Sequence, residues 1–203
     1  MPSSYTTSSI TIRQLTEFDR PALERHFVSL GAEDRRLRFG IVLSDSALRG
    51  YVERIDFTRD AVFGGTGDDL EIVAAAHLAH NDDDGELGVS VLPEHRRRGF
   101  GTALLARANT RARNLGLRVL FVHCLTENGA MMDIARHEGM RIVTEGSEAD
   151  AFLELEPADA ASRMGEVFEQ AVGLFDYALK KQLATPNLIA RALAQPKGTA
   201  ADE

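Results

Sequence analysis

The sequence predicts a single α+β (mixed α/β) domain followed by a helical extension. Two observations lead to this prediction. Strand-like segments come early and are joined by short turns, which is typical of antiparallel pairing, and a strand–helix–strand–helix–strand order follows from residue 86 onward. The run RVLFVHCL at 118–125 is continuously apolar and has the length of a central strand that is buried on both faces. We therefore expect a central mixed, largely antiparallel sheet of six to seven strands, flanked by helices.

The individual elements follow from the spacing of apolar residues. Period-two alternation and short apolar runs predict strands at 10–15, 60–63, 71–80, 86–92, 118–125, 141–144 and 151–156. Helical spacing, with N-capping residues at the starts and glycines at several ends, predicts helices near 16–30, 34–39, 44–55, 99–115 and 127–138. The segment GGTGDD, 64–69, is expected to be a hairpin turn.

The chain divides into a core domain with segments on either side. We expect the domain to span residues 9–156 and a helical C-terminal extension to span 157–195, since apolar residues recur there at helical spacing. That extension either packs on the domain or forms a homodimer. Residues 1–8 and the tail 196–203 are expected to be disordered.

Composition excludes several classes of protein. The 203 residues are 44% hydrophobic, which is enough for a full core, and the net charge of -8 argues against a general nucleic-acid binder. Cys124 is the only cysteine, so no internal disulfide can form. No apolar run is long enough for a signal peptide or a membrane span. We expect a cytoplasmic protein with no nucleic-acid or membrane partner.

The stretch PEHRRRGFG, 93–101, combines arginines and glycines between a predicted strand and a predicted helix. Free amides at a helix start attract anions, and Gly99 and Gly101 let a ligand approach the backbone. The GKS/T ending of a phosphate-binding P-loop is absent, and Leu104 stands where a dinucleotide fingerprint needs glycine. Between His95 and Thr126 there are seven arginines and no acidic residue, which predicts a local positive field. The turn favours a phosphate-bearing ligand; the alternative is a basic helix start without one.

Two segments carry a resemblance to a known family. ELGVSVLPEHRRRGFGTALL, 86–105, resembles the acetyl-CoA signature of the GNAT superfamily of N-acetyltransferases, and ENGAMMDIARHEGMRI, 127–142, resembles the second block of that family. Both segments are most similar to the GNAT domain of bacterial protein-lysine acetyltransferases. The order of the predicted elements extends the resemblance over roughly the whole domain.

The resemblance implies a GNAT-type acyltransferase that moves an acetyl group directly from acetyl-CoA, its co-substrate, to an amine. The acceptor is a protein lysine or a small-molecule amine, and no metal is implied. Backbone amides between residues 97 and 102 would hold the pyrophosphate of coenzyme A, and two valines would line its pantetheine arm where two parallel strands separate. The residues implied in binding the cofactor are Val89, Val91, Arg96, Arg97, Arg98, Gly99, Phe100, Gly101, Thr102 and Asn128.

Proton transfer has few candidates in the sequence. The resemblance places Glu86 as the general base that accepts a proton from the amine. Glu71, at the start of the preceding strand, is the second carboxylate considered. His123 lies near the expected substrate channel and is the third candidate. Cys124 is expected to be an inert buried thiol, because nothing in the sequence activates it.

Two further residue patterns bear on function. Many family members carry a tyrosine that protonates the departing thiolate, whereas this chain has Ala135 there. The alternative is thus a catalytically degenerate GNAT domain that serves as an acyl-CoA sensor or interaction module. His77 and His80 are three apart on a predicted strand, so they point to opposite faces of it. We therefore do not expect them to bind a metal ion together with the acidic turn at 82–84.

Overall fold

The computed structural model describes residues 10–67 and 69–194, with side chains as far as residue 182. The expected disorder of residues 1–8 and 196–203 concerns segments outside the described residues. The strands are β1 Ile12–Gln14, β2 Ala61–Thr66, β3 Ile72–His80, β4 Asp84–Val91, β5 Val119–Leu125, β6 Arg141–Glu145 and β7 Glu148–Glu154. The helices are α1 Arg20–Val28, α2 Ala32–Phe39, α3 Asp45–Glu53, α4 Phe100–Leu115, α5 Gly129–His137 and α6 Ala160–Ala194.

One seven-stranded sheet organises the domain, in the order β1-β2-β3-β4-β5-β7-β6. Every neighbouring pair is antiparallel except β4 and β5, which run parallel. Helix α4 connects these two strands and returns the chain to the edge of the sheet where β4 begins, so β5 starts from the same edge. The predicted α+β class and strand number are confirmed. Within the described residues, no helix combines the length and apolarity that a bilayer span requires.

The sheet separates two apolar clusters. On one face α1 and α3 pack through side chains such as Leu23, Phe27 and Leu48. On the other face α4 and α5 pack through side chains such as Leu104 and Met132. Strands β2 and β3 lie between both layers, which explains why almost all of their residues are buried.

Two connections between strands differ from what the sequence predicts. Gly64 and Gly65, expected in a hairpin turn, are residues of β2, since Leu15 and Phe100 occupy the space where their Cβ atoms would stand. The last two strands pair up to Glu145 and Glu148, so only residues 146–147 connect them. Gly146 has φ +60, a conformation that suits a two-residue hairpin turn and that this spacing requires.

Strands β4 and β5 separate after three residue pairs. Their parallel register joins Asp84 with Val119 and ends where Glu86 meets Phe121. Beyond this point β4 continues along β3 to Val91, while β5 pairs only with β7. The two central strands therefore diverge and leave a gap in the middle of the sheet.

Helix α6 packs against α4 and β1. Arg107 of α4 is only 4% exposed and meets the carboxylate of Glu169 at 3.1 Å. A Cβ at Gly173 would stand 2.8 Å from the carbonyl oxygen of Ile12, so a small residue allows the close approach to β1. The outward side of α6 leaves a stripe of apolar side chains exposed: Met164, Val167, Phe168, Val172, Leu174, Phe175 and Leu179.

Candidate functional site

The connection from β4 to α4 has an unusual backbone. After a 3-10 turn at Pro93–His95, Arg97 has φ +56 and Gly99 has φ +89, both in the left-handed region. The first intrahelical bond of α4 runs from the amide of Ala103 to the carbonyl of Gly99, and no side chain caps the helix. The amides of residues 100–102 therefore have no intrahelical acceptor. Successive free amides beside left-handed residues form a concave anion-binding surface.

This turn borders a cavity of about 360 Å³ that extends into the gap between β4 and α5. Nine of the ten residues expected to bind the cofactor line it; Arg98 does not. The expected lining residues are Val89, Val91, Arg96, Arg97, Gly99, Phe100, Gly101, Thr102 and Asn128. Sequence reasoning missed the opposite wall, where Asp34, Leu37 and Arg38 of α2 face Met131 and Ile134 of α5.

The positive charge of the arginine-rich segment is more local than the sequence predicts. Five of its seven arginines pair with carboxylates from elsewhere in the chain, which are Asp34, Asp83, Asp159, Glu166 and Glu169. Arg97 and Arg98 form no ion pair within the described residues. The expectation of a field from the whole segment was wrong in this respect, because α6 neutralises the arginines of α4. The remaining charge sits at the turn itself.

Asn128 connects two walls of the cavity. Its side-chain oxygen accepts a hydrogen bond from the amide of Met131 at 3.2 Å and so caps α5. Its side-chain nitrogen donates to the carbonyl of Leu37 in α2 at 3.4 Å. The asparagine thus links the end of α2 to the start of α5. Ala135, further along α5, is buried, and its methyl side chain cannot donate a proton to a ligand in the cavity.

A second cavity of about 260 Å³ lies on the α1–α3 face of the sheet, where β4 and β5 separate. Glu86 lines it as an exposed carboxylate at the last β4–β5 pair, and His123 lines it from β5. Arg38 lines both cavities. Glu71 lies elsewhere, beside a groove that α1 forms with the start of β3.

His123 is more exposed than its apolar surroundings in the sequence predict. Its side chain is 44% exposed, and its Nδ1 lies 2.7 Å from Oδ1 of Asp150. The expectation that β5 is buried on both faces was wrong for the face that carries Val119, Phe121 and His123, since these residues are half-buried or exposed while their neighbours are buried. Cys124, by contrast, is buried, with Sγ 3.8 Å from the sulfur of Met132, and burial raises the pKa of its thiol.

A hydrogen-bonded chain forms another wall of the second cavity. Nη2 of Arg38 donates to the hydroxyl of Tyr51 at 3.2 Å, and this hydroxyl lies 2.6 Å from Nδ1 of His77. Nε2 of His77 lies 3.1 Å from the carboxylate of Asp60. Burial lowers the pKa of His77, so the ring is neutral at pH 7: Nε2–H donates to Asp60 and Tyr51 donates to Nδ1.

The same interactions keep Asp60 ionised. Burial by itself raises the pKa of Asp60, but the hydrogen bonds from Arg59 and His77 outweigh this effect and hold it below its usual value. Sequence reasoning missed Arg38 and Tyr51, because no local pattern marks residues of α2 and α3 that meet β3. In the described part of the chain, no group of three or more histidine, cysteine or acidic residues is placed to hold a metal ion.

Comparison with known proteins now assigns the family. The family model described as the acetyltransferase (GNAT) family matches residues 22–140. The chain belongs to this family. It is accordingly an acyltransferase by family, and its α+β sheet with diverging central strands is the GNAT fold. No curated protein matches the chain.

Solved structures share this fold at low sequence identity. The GNAT domain of PAT from S. lividans has a TM-score of 0.62 and 18% identity, and the match covers 76% of this chain and 100% of that one. The putative acetyltransferase yncA from Salmonella typhimurium, solved with acetyl-CoA, gives 0.57 and 18%, covering 75% and 98%. The ribosomal-protein-S18-alanine N-acetyltransferase from Escherichia coli gives 0.56 and 20%, covering 75% and 97%.

Proposed function

We propose that the protein is an acetyl-CoA-dependent N-acetyltransferase that transfers the acetyl group directly to an amine, a protein lysine or a small molecule. The observation that carries the proposal is the gap between β4 and β5. The uncapped turn before α4 borders the cavity on one side of this gap, and Glu86 lies in the cavity on the other side. A donor bound at the turn and an acceptor bound near Glu86 would meet between the two strands.

The donor side fits a coenzyme A group. The amides of residues 100–102 and the guanidinium of Arg97 would hold its phosphates, because these groups have no other partner in the described part of the chain. Val89 and Val91 supply apolar walls beyond the turn. Acetyl-CoA supplies an acetyl thioester: the amine nitrogen bonds to the acyl carbon as the C–S bond breaks and coenzyme A leaves as a thiolate.

On the acceptor side, Glu86 is the general base of the proposal. Its carboxylate is exposed to the cavity, so it can take the proton of the amine directly or through a water molecule. His123, oriented by Asp150, borders the same cavity and is a second proton acceptor. Since Ala135 offers no proton, we expect water to protonate the departing thiolate.

Calorimetry and turnover test the two halves of this proposal separately. We expect micromolar binding of acetyl-CoA, and acetylation of at least one member of a panel of small amines and lysine peptides. Glu86→Gln should keep acetyl-CoA binding and lower kcat by about 100-fold, the size of a general-base contribution. Glu71→Gln is the matched control, because it removes an exposed carboxylate that directly precedes the adjacent strand β3 and lies outside this cavity.

Each result has a distinct meaning. Wild-type protein that does not bind acetyl-CoA contradicts the proposal. Binding without turnover on any acceptor favours the alternative, a degenerate GNAT domain that senses acyl-CoA or mediates interactions. Equal losses in Glu86→Gln and Glu71→Gln would remove Glu86 from the role of base.

The proposal includes a homodimer formed through α6. The inner side of this helix packs on α4 and β1, yet large apolar side chains remain exposed on its outer side, among them Phe168 and Phe175. A continuous apolar stripe of this length is unusual on a monomer surface. A second copy would present the same stripe, which suits a two-fold interface.

A further inference from the structure

Arg38 is a cation without a carboxylate partner in the part of the chain that the structure describes. It reaches from α2 to Gly88 of β4, where a Cβ would overlap its guanidinium. Its Nε is buried and has no acceptor among the described residues. The neighbouring arginines of α2 differ, because Arg35 pairs with Asp45 and Arg36 pairs with two glutamates. A half-buried cation loses hydration, and an anionic ligand would compensate this loss.

The position of Arg38 is built by its surroundings. The guanidinium carbon lies 4.7 Å from the ring centre of Phe39, and Nη2 donates to the hydroxyl of Tyr51. Tyr51 is hydrogen-bonded to His77, and His77 is hydrogen-bonded to Asp60. The guanidinium is thus fixed at the border of both cavities before any ligand binds, which lowers the entropic cost of binding.

The acceptor cavity contains one group of each charge. Glu86 and Gly88 lie on the same face of β4, two residues apart, so the Arg38 guanidinium and the start of the Glu86 side chain are about 7 Å apart along the strand. Among the ion pairs of the described residues, including those of the neighbouring Arg35, Arg36 and His123, none joins Arg38 and Glu86. Two opposite charges that stay apart in one small cavity match a ligand that carries both charges itself.

We propose that the acceptor is a small zwitterion, an amino acid or a similar amino carboxylate, whose carboxylate binds Arg38 while its amine faces Glu86. This inference rests on the proposed acetyltransferase function. A protein lysine would bring only a positive charge, which Arg38 repels, whereas a carboxylate accepts two parallel hydrogen bonds from the guanidinium. The volume of about 260 Å³ suits a compound of amino-acid size.

The test compares acceptors that differ only in charge. L-amino acids, their carboxamides and a lysine peptide are assayed with saturating acetyl-CoA, and kcat/KM is measured for each. We expect wild-type protein to prefer at least one amino acid over its carboxamide by about 10- to 100-fold, the range for a lost charge-assisted hydrogen bond. Arg38→Met should reduce this ratio of kcat/KM values to near one. Arg38→Lys should retain part of the preference, since lysine keeps the positive charge but cannot donate two parallel hydrogen bonds to a carboxylate.

Arg36→Met is the matched control. It removes a cation two residues away on α2, but one whose guanidinium already pairs with Glu33 and Glu127. In this variant the ratio of kcat/KM for the amino acid to kcat/KM for its carboxamide should stay at the wild-type value. Circular dichroism and thermal unfolding of each variant show whether it is folded.

Several results would overturn the inference. A wild-type preference for the lysine peptide or for the carboxamides contradicts it. An equal loss of kcat/KM for an amino acid and for its carboxamide in Arg38→Met also contradicts it, because Arg38 would then act at the thioester. If no acceptor turns over, calorimetry of the amino acids with the acetyl-CoA complex decides, and absence of binding overturns the inference. Failure of acetyl-CoA itself to bind would instead refute the proposed function.

Discussion

The hydroxyl of Tyr51 donates to Nδ1 of His77 over 2.6 Å, and this bond joins α3 to β3 at the wall of the acceptor cavity. The other nitrogen of His77 donates to Asp60, so both ring nitrogens are satisfied although the ring is buried. Arg38 meets the same hydroxyl from α2. Three separate elements therefore converge on one phenol.

Tyr51→Phe should lower the free energy of unfolding by about 1–3 kcal/mol, because it leaves Nδ1 of His77 buried without a donor. The ring itself remains, so its edge contacts with Phe27 and Phe39 are preserved. Urea denaturation measures the change. In a protein that already carries His77→Leu, Tyr51→Phe should lower the free energy of unfolding by less. Equal losses with and without His77→Leu would show that Tyr51 and His77 do not stabilise each other.

His26 should make stability depend on pH. Burial lowers its pKa to about 4, while Nδ1–H donates to the carbonyl of Ile72 and Nε2 accepts from Ser90. As the pH falls, the unfolded chain binds a proton at His26 near pH 6.5, before the folded protein does. The stability contributed by neutral His26 is therefore complete above pH 6.5 and is lost as the pH falls towards 4. The loss amounts to about 3 kcal/mol for the full shift.

Urea denaturation between pH 7 and pH 4 tests this contribution. His26→Gln should flatten the dependence, leaving the smaller part from His77, whose pKa burial also lowers. His137→Gln, at an exposed histidine of α5, is the control for the substitution itself. An identical slope in wild type and His26→Gln would show that His26 does not titrate on unfolding.

Gly99→Val should weaken acetyl-CoA binding at the proposed site by 10-fold or more. The position has φ +89, which side chains rarely adopt, and a Cβ would stand 3.0 Å from Ile10. The turn would then lose the conformation that presents its free amides. Gly165→Ala is the control: nothing lies within 4 Å of its Cβ position in α6, so binding should not change. Calorimetry that finds equal affinities would remove the glycine from the binding turn.

Glu166→Gln should destabilise the contact between α4 and α6. The carboxylate is buried, accepts from Asn114 at 2.6 Å and lies 3.5 Å from Arg111. Its neutralisation removes the carboxylate partner of Arg111 and one of the two partners of buried Arg107, which we expect to cost about 3 kcal/mol of unfolding free energy. Glu169→Gln changes a half-exposed partner of Arg107 and should cost less than about 1 kcal/mol. Equal unfolding energies for both variants would contradict this assignment.

The proposed homodimer has a direct test by sedimentation. Phe168→Glu with Phe175→Glu places charge on side chains that are 70% and 72% exposed, so the domain should stay folded while any dimer dissociates. Arg163→Glu, a polar change on the same helix, is the control. A wild-type protein that sediments as a monomer at all concentrations would refute the dimer.

Local patterns predicted most of the fold. Period-two and helical spacing placed every strand and all five helices of the domain, with errors at the ends, since the last turns of an element depend on its neighbours. The errors at β2 show the reason: Gly64 and Gly65 resemble a turn in sequence, but Leu15 and the ring of Phe100 fill the space above them. Such long-range packing leaves no periodic signal.

The candidate site divides in the same way. The sequence by itself determined the turn before α4, because its glycines and arginines are contiguous and their chemistry is local. Only the tertiary structure decided the rest: α6 neutralises the arginines of α4 from about 60 residues away, and Arg38 meets Tyr51, the partner of His77, beside Gly88. Long-range ion pairs and hydrogen bonds need only that the fold brings their partners together, so no spacing in the sequence reveals them.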